Sequence, residues 1–304
     1  MALATTALTS RDGTTVATFV PEAAMLCSSL TVDGVEHLDG GRGVDAYASA
    51  GHTMGIPLLY PWANRLSAFA YEAAGVAVSL PDDRALIPAD PNGLPIHGVV
   101  PSLLRFHTRA REDGSALTAV LDWSTPELLG LFPFRHELRV EVRVGAGELT
   151  IVTTVAATGA DRVPVAFGFH PYLHIPGSSR TTWELGLPGA EHLTLDDHMI
   201  PTGARTAAPE GRLALADSSW DDGFAVGPLP ARYAAETGGG GIALELVAGY
   251  PFSQIYAPPG KDFICFEPMT APTNALRSGD GLTVLAPGEE YRGEFRVCIW
   301  ASPR

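Results

Sequence analysis

Apolar and polar residues alternate one for one along much of this chain. That period of two marks β-strands with one face in a core and the other in water. In 136–144, Leu138, Val140, Val142 and Val144 share one side, and Glu137, Arg139, Glu141 and Arg143 share the other. A glycine-containing turn at 145–148 follows, and 149–155 returns as a β-branched strand, so the stretch predicts a hairpin. Residues 115–123 alternate through Leu117, Ala119, Leu121 and Trp123, and 290–300 places Tyr291, Phe295, Val297 and Ile299 on one face. The glycine run 238–241 predicts a hairpin loop between 233–236 and 242–247. It lacks the G-x-G-x-x-G spacing and the following helix of a nucleotide site. Helical periodicity is scarce, and 126–132 predicts one or two turns at most. Regularly spaced strands with turn signals predict an all-β fold: a large antiparallel sandwich with few short helices.

Composition narrows the picture further. The chain has 304 residues, enough to bury a substantial core. No long linker, low-complexity block or internal repeat divides it, so a single domain over 1–304 is expected. High glycine (33) and proline (25) without a repeating period fit a turn-rich β protein. The net charge of −14 argues against nucleic acid and against an anionic membrane surface as partners. Three widely spaced cysteines, Cys27, Cys265 and Cys298, form no C-x-x-C and no disulfide framework, which points to a reducing cytoplasm. The N-terminal stretch has neither the basic lead nor the apolar core of a secretory signal, and no window reaches the length of a membrane span. Oligomeric state is not legible.

Candidate chemistry sits where the apolar pattern breaks. Residues 263–266 read as an apolar strand that ends in Glu267, followed at once by Pro268. Removing a lone carboxylate from water costs several kcal/mol or more, so Glu267 is protonated, paired or at work as a base. Residues 165–170 form another apolar run, ending in His170 before Pro171, which stops a central strand. His170 and His174 stand four apart, yet Pro171 disfavours a helix carrying both and no H-E-x-x-H is present, so no metal site is expected. Arg65 follows the apolar, proline-containing stretch 56–64; it is either paired with a carboxylate or a five-donor fork for ligand oxygens. The loop 90–98 delivers His97 next to Gly98, which permits close backbone approach. Asp221-Asp222-Gly223 reads as a turn or as an acidic acceptor for hydroxyl donors. A glutamate and a histidine can serve as a base and acid pair, whereas no G-x-S-x-G and no cysteine in a basic loop offers a nucleophile. Trp62, Trp183 and Trp220 are candidate sugar-stacking platforms beside their ordinary reading as core.

The ordered set Ala63-Asn-Arg-Leu66, Ile96-His-Gly98, Phe169-His-Pro-Tyr172, Asp221-Asp-Gly-Phe224 and Ile264-Cys-Phe-Glu-Pro268 resembles the aldose 1-epimerases, or mutarotases, of the galactose mutarotase-like superfamily. The resemblance implies an antiparallel β-supersandwich and an isomerase that interconverts the α and β anomers of a free aldose such as glucose or galactose. Glu267 resembles the family's general base and His170 its general acid. Asn64, Arg65, His97 and Asp221 resemble its sugar-binding groups. Asp222 competes with Asp221 for that place, but Asp221 keeps the following Gly-Phe in step. The resemblance implies no cofactor and no metal. Leu66 stands where the family motif has isoleucine, and the Arg65–His97 interval is longer than in the galactose enzymes. The other readings are a sugar-phosphate (hexose-6-phosphate) 1-epimerase, a glycosidase using Glu267 and Asp221, and a non-catalytic carbohydrate-binding protein. A phosphate site needs converging basic residues, and Lys261 is the chain's one lysine.

Overall fold

A computed structural model describes residues 3–300. Residues 1–2 and 301–304, the extreme ends of the stretch taken above as a single domain, lie outside the described residues. Two large antiparallel sheets dominate. One runs, in spatial order, Arg212–Ala214, Glu184–Gly186, Ala231–Thr237, Gly240–Ala248, Glu290–Trp300, Glu148–Ala156, His136–Gly145, Ala116–Trp123 and His107–Ala110. The other runs Pro201–Ala207, Ala190–Leu195, Trp220–Val226, Phe252–Ala257, Ile264–Met269, Gly168–Phe169 and Leu58–Leu59, with Tyr172–Leu173 also paired to Ile264–Met269. A four-stranded sheet spans Thr6–Thr9 to Val35–Glu36. The α-helices among the described residues are short: Val44–Ala50, Pro126–Leu131 and Ala275–Ser278. None is long and apolar enough to cross a membrane.

The predicted hairpins form where the alternation places them. Leu138 pairs with Val155 and Val142 with Ile151, and the alternate residues of Glu290–Trp300 continue the same buried face. The two large sheets meet through aromatic contacts. Phe266 stacks on Tyr233 at 5.3 Å between ring centroids, and Phe169 lies 5.0 Å from Phe295. Because successive strand residues point to opposite faces, burying Phe266 between the sheets sends Glu267 to the other face of its sheet.

Three expectations change. The strand carrying Glu267 does not end there but runs through Pro268 to Met269. Its ladder to Phe252–Ala257 is continuous, whereas on the other side it pairs only at Ile264, Cys265 and Met269, so Pro268 lies over a gap in that second ladder. Asp221-Asp222-Gly223 lies inside the strand Trp220–Val226 rather than in a turn. Long pairing with Phe252–Ala257 outweighs the local turn chemistry. Trp62 and Trp183 are buried core residues, which removes them as sugar platforms, while Trp220 is partly exposed.

Gly98 fastens the segment that leads to Arg65. It has φ +80°, and a Cβ there would lie 1.9 Å from the carbonyl oxygen of Tyr60, whose oxygen also accepts from Val99 N at 3.0 Å. Gly98→Ala is therefore expected to cost about 3 kcal/mol or more, from left-handed strain plus overpacking. Gly13→Ala, at φ +77° with nothing within 4 Å, carries only the strain, about 1–2 kcal/mol. Urea unfolding of both variants checks this, and equal losses would contradict it.

Candidate active site

The face of the second sheet that carries Glu267 also carries Gln254, its direct cross-strand partner, and Asp221, which pairs with Tyr256 one strand further out. Against these lies the irregular segment 56–66, tied down by His170 N donating to Pro57 O (3.1 Å) and Ala63 N donating to Ala166 O (2.7 Å). The 90–98 loop follows, with His97 N donating to Asn64 O at 2.9 Å. Asn64 and His97 both hold positive φ, 55° and 63°. For a histidine that is an uncommon backbone state, of the kind that collects at binding sites.

Glu267 is 2 % exposed and His170 6 %. His170 Nε2 stands 3.1 Å from Glu267 Oε1. Glu267 Oε2, His170 Nδ1 and His97 Nδ1 are buried without a hydrogen-bond partner. Buried polar atoms are nearly always paired, so these three together leave hydrogen-bonding capacity that the polar groups of a ligand could take up. The His97 ring meets His170 edge-on at 5.5 Å, and Tyr172 stacks flat on His170 at 4.5 Å with its hydroxyl 2.6 Å from Thr53 Oγ1. Tyr256 and Phe263 extend the aromatic wall.

Burial sets the proton affinities. It pushes the Glu267 carboxyl well above the usual carboxylate range; the Asp221 charge adds to the rise and Arg65 opposes it. It pushes His170 down to about 3 and His97 well below the ordinary histidine value. Burial also raises Asp221, while bonds from Gln254 and the charge of Arg65 draw it back. The Glu267–His170 pair thus holds a single acidic proton over a wide pH range, and an ionised form of the pair is costly in so dry a place.

Five predicted residues come together: Glu267, His170, His97, Arg65 and Asp221. Asn64 lies beside them with its Oδ1 turned onto Arg65, accepting from the backbone N (2.9 Å) and Nη1 (3.0 Å). Of its two open readings Arg65 meets the paired one: Nε bonds Asp90 Oδ2 at 2.9 Å, and Nη2 faces Asp221 Oδ2 at 4.0 Å. Asp222 turns to the opposite face, where its Oδ1 meets His192 Nε2 at 2.8 Å. His174 departs from His170 to lie beside His37, ring centroids 6.5 Å apart. Among the described residues no group of three or more His, Cys, Asp or Glu is arranged to hold a metal ion. Sequence reasoning missed Gln254, whose Nε2 donates to Asp221 Oδ1 at 2.7 Å, and the aromatic wall. The only signals were the place of Tyr172 in the His170 motif and the strand register that sets Gln254 against Glu267.

The family model for aldose 1-epimerase matches residues 13–298. The chain belongs to the aldose 1-epimerase family. Its fold is that of a galactose mutarotase-like protein from Clostridium acetobutylicum, with a TM-score of 0.82 at 19 % identity over 95 % of this chain and 93 % of that one. It is likewise that of the GalM/aldose epimerase homologue from C. elegans, with a TM-score of 0.78 at 17 % identity over 99 % and 100 %. In sequence the chain is similar to the Escherichia coli protein YihR, 23 % identical over 252 residues, 79 % of this chain and 77 % of that protein. Membership in this family supports an isomerase acting on a small sugar.

The shifted pair predicts a pH-dependent stability. Glu267, raised on folding, stabilises below its unfolded value of about 4.5, and that contribution is lost as pH rises through its folded value. His170, lowered on folding, stabilises above about 6.5 and loses the contribution as pH falls towards about 3. Glu267→Gln removes the first effect. Its melting temperature relative to the unsubstituted protein should be about 2 °C or more higher at pH 8 than at pH 4.5. An offset that does not change with pH would contradict this.

Proposed function

We propose that this chain is a mutarotase for a free, unphosphorylated aldose, with Glu267 as general base and His170 as general acid. The observation that carries the reading is the direct contact between a buried carboxyl and a buried imidazole, with partnerless polar atoms beside them. The anomeric hydroxyl and the ring oxygen of a pyranose hang on one carbon, so a base and an acid in contact can address both at once.

In the reactive form Glu267 is ionised and His170 protonated, one proton having crossed between them. Glu267 takes the proton of the C1 hydroxyl, and the C1–ring-oxygen bond breaks. Its electron pair goes to the ring oxygen, which takes the proton of His170. C1 becomes the aldehyde carbon, rotation about C1–C2 presents its other face, and the reverse steps close the other anomer. Ring opening leaves both side chains neutral, the state that their dry surroundings favour, so desolvation assists the step. Arg65 Nη2, His97 Nδ1 and Asp221 are placed to meet sugar hydroxyls, and the aromatic wall suits the C–H face of the ring.

A sugar phosphate fits less well. Arg65 is the cation that acts on Glu267, His170, His97 and Asp221, and its charge is already matched by Asp90.

Polarimetry of freshly dissolved α-D-glucose and α-D-galactose tests the proposal. Decay to the equilibrium rotation should accelerate. Glu267→Gln should lower the catalysed rate about a thousandfold or more and His170→Asn about a hundredfold. No acceleration across a panel of free aldoses would overturn the reading.

A further inference from the structure

Asp90 begins the loop that ends at His97, and its side chain is only 1 % exposed. One carboxylate oxygen, Oδ1, accepts from Asn92 N and Leu94 N, both at 2.9 Å, and closes the loop on itself. The other, Oδ2, accepts from Arg65 Nε at 2.9 Å. Asn64 Oδ1 holds Nη1 of the same guanidinium at 3.0 Å. One flank of the arginine is thus fastened by two buried acceptors. Its remaining nitrogen, Nη2, faces Asp221 Oδ2 across 4.0 Å, beyond hydrogen-bond reach.

That gap is the informative feature. Arginine and carboxylate readily close into a bidentate pair, and Asp221 is the nearest carboxylate once Asp90 is discounted. A closed pair would consume the donor on Arg65 and the acceptor on Asp221 together. We propose that Asp90 is a positioning residue that holds the Arg65 guanidinium back from Asp221, so that Nη2 and the Asp221 carboxylate both stay available to sugar hydroxyls. The substrate named here rests on the mutarotase reading, but the restraint on Arg65 does not. Asp90 touches neither the acid nor the base, so its loss weakens binding of substrate and transition state alike. The signature is a raised KM with kcat nearly unchanged.

Asp90→Asn separates the two jobs of the side chain. The amide oxygen still accepts from Asn92 N and Leu94 N, so the loop and the fold persist, while the charged acceptor for Arg65 Nε is lost. Two readouts are taken. The first is hydrogen exchange of the Arg65 Nε–H, followed by NMR of arginine-labelled protein without sugar and assigned with Arg65→Lys. The second is KM and kcat for α-D-glucose by polarimetry. The expected result is slow exchange in the unsubstituted protein, exchange faster by about tenfold or more in Asp90→Asn, and KM raised about tenfold with kcat within about threefold, as befits a lost charge-assisted hydrogen bond. Unchanged Nε–H exchange in Asp90→Asn would overturn the restraint. Faster exchange with KM unchanged, or with kcat reduced and KM unchanged, would overturn the positioning role. Should the unsubstituted protein accelerate no aldose, the mutarotase reading falls by itself and the restraint is decided by the exchange measurement alone.

Discussion

The contact between Glu267 and His170 constrains everything around it. An isolated carboxylate in that place would be strongly disfavoured, and so would an isolated imidazolium. Together they need only one proton between them, and they can hold it in two arrangements: both neutral, or both charged. The proposed mutarotase chemistry needs that exchangeable proton, because its two half-reactions return base and acid to where they began. The fold therefore has to keep the pair dry, in contact and open to a ligand on one side.

Strand geometry does most of this. Phe266 packs against Tyr233 between the sheets, which turns Glu267 outwards beside Gln254. His170 is delivered at the end of Gly168–Phe169 and its ring is fixed by the flat stack on Tyr172. The remaining contacts come from irregular backbone, which a sheet alone does not place. Gly98 lets the 90–98 loop sit against Tyr60, and the loop returns Asp90 to Arg65. Arg65 thus owes its position to the side chains of Asp90 and Asn64 rather than to a strand, and it carries the positive charge felt by Glu267, His170, His97 and Asp221.

Much of this was legible in the residues. Alternation located the strands at 115–123, 136–144 and 290–300, because each turns one face to the core and the other towards water, and β-branching located the one at 149–155, which is buried on both faces. Glu267, His170, Arg65, His97 and Asp221 announced themselves as polar groups set where apolar runs end or break. What stayed hidden depends on long-range register. Gln254 looks like any polar strand residue until pairing sets it opposite Glu267. Asp221-Asp222-Gly223 has turn chemistry, but seven residues of Trp220–Val226 form a strand across it. Trp62 and Trp183 could not be told from platforms by type alone, since burial depends on neighbours distant in sequence. Asp90 read only as the start of the 90–98 loop, which its Oδ1 closes; its second oxygen finds Arg65 only in three dimensions.

The proposed chemistry depends on the protonation of one imidazole. Nitrogen NMR of histidine-labelled protein, with His170 assigned through His170→Asn, reports that state directly as pH is lowered. His170 in the unliganded protein should stay neutral through pH 6 and 5 and gain its proton only near pH 3. An imidazole that becomes an imidazolium at the ordinary value of about 6.5 would contradict it.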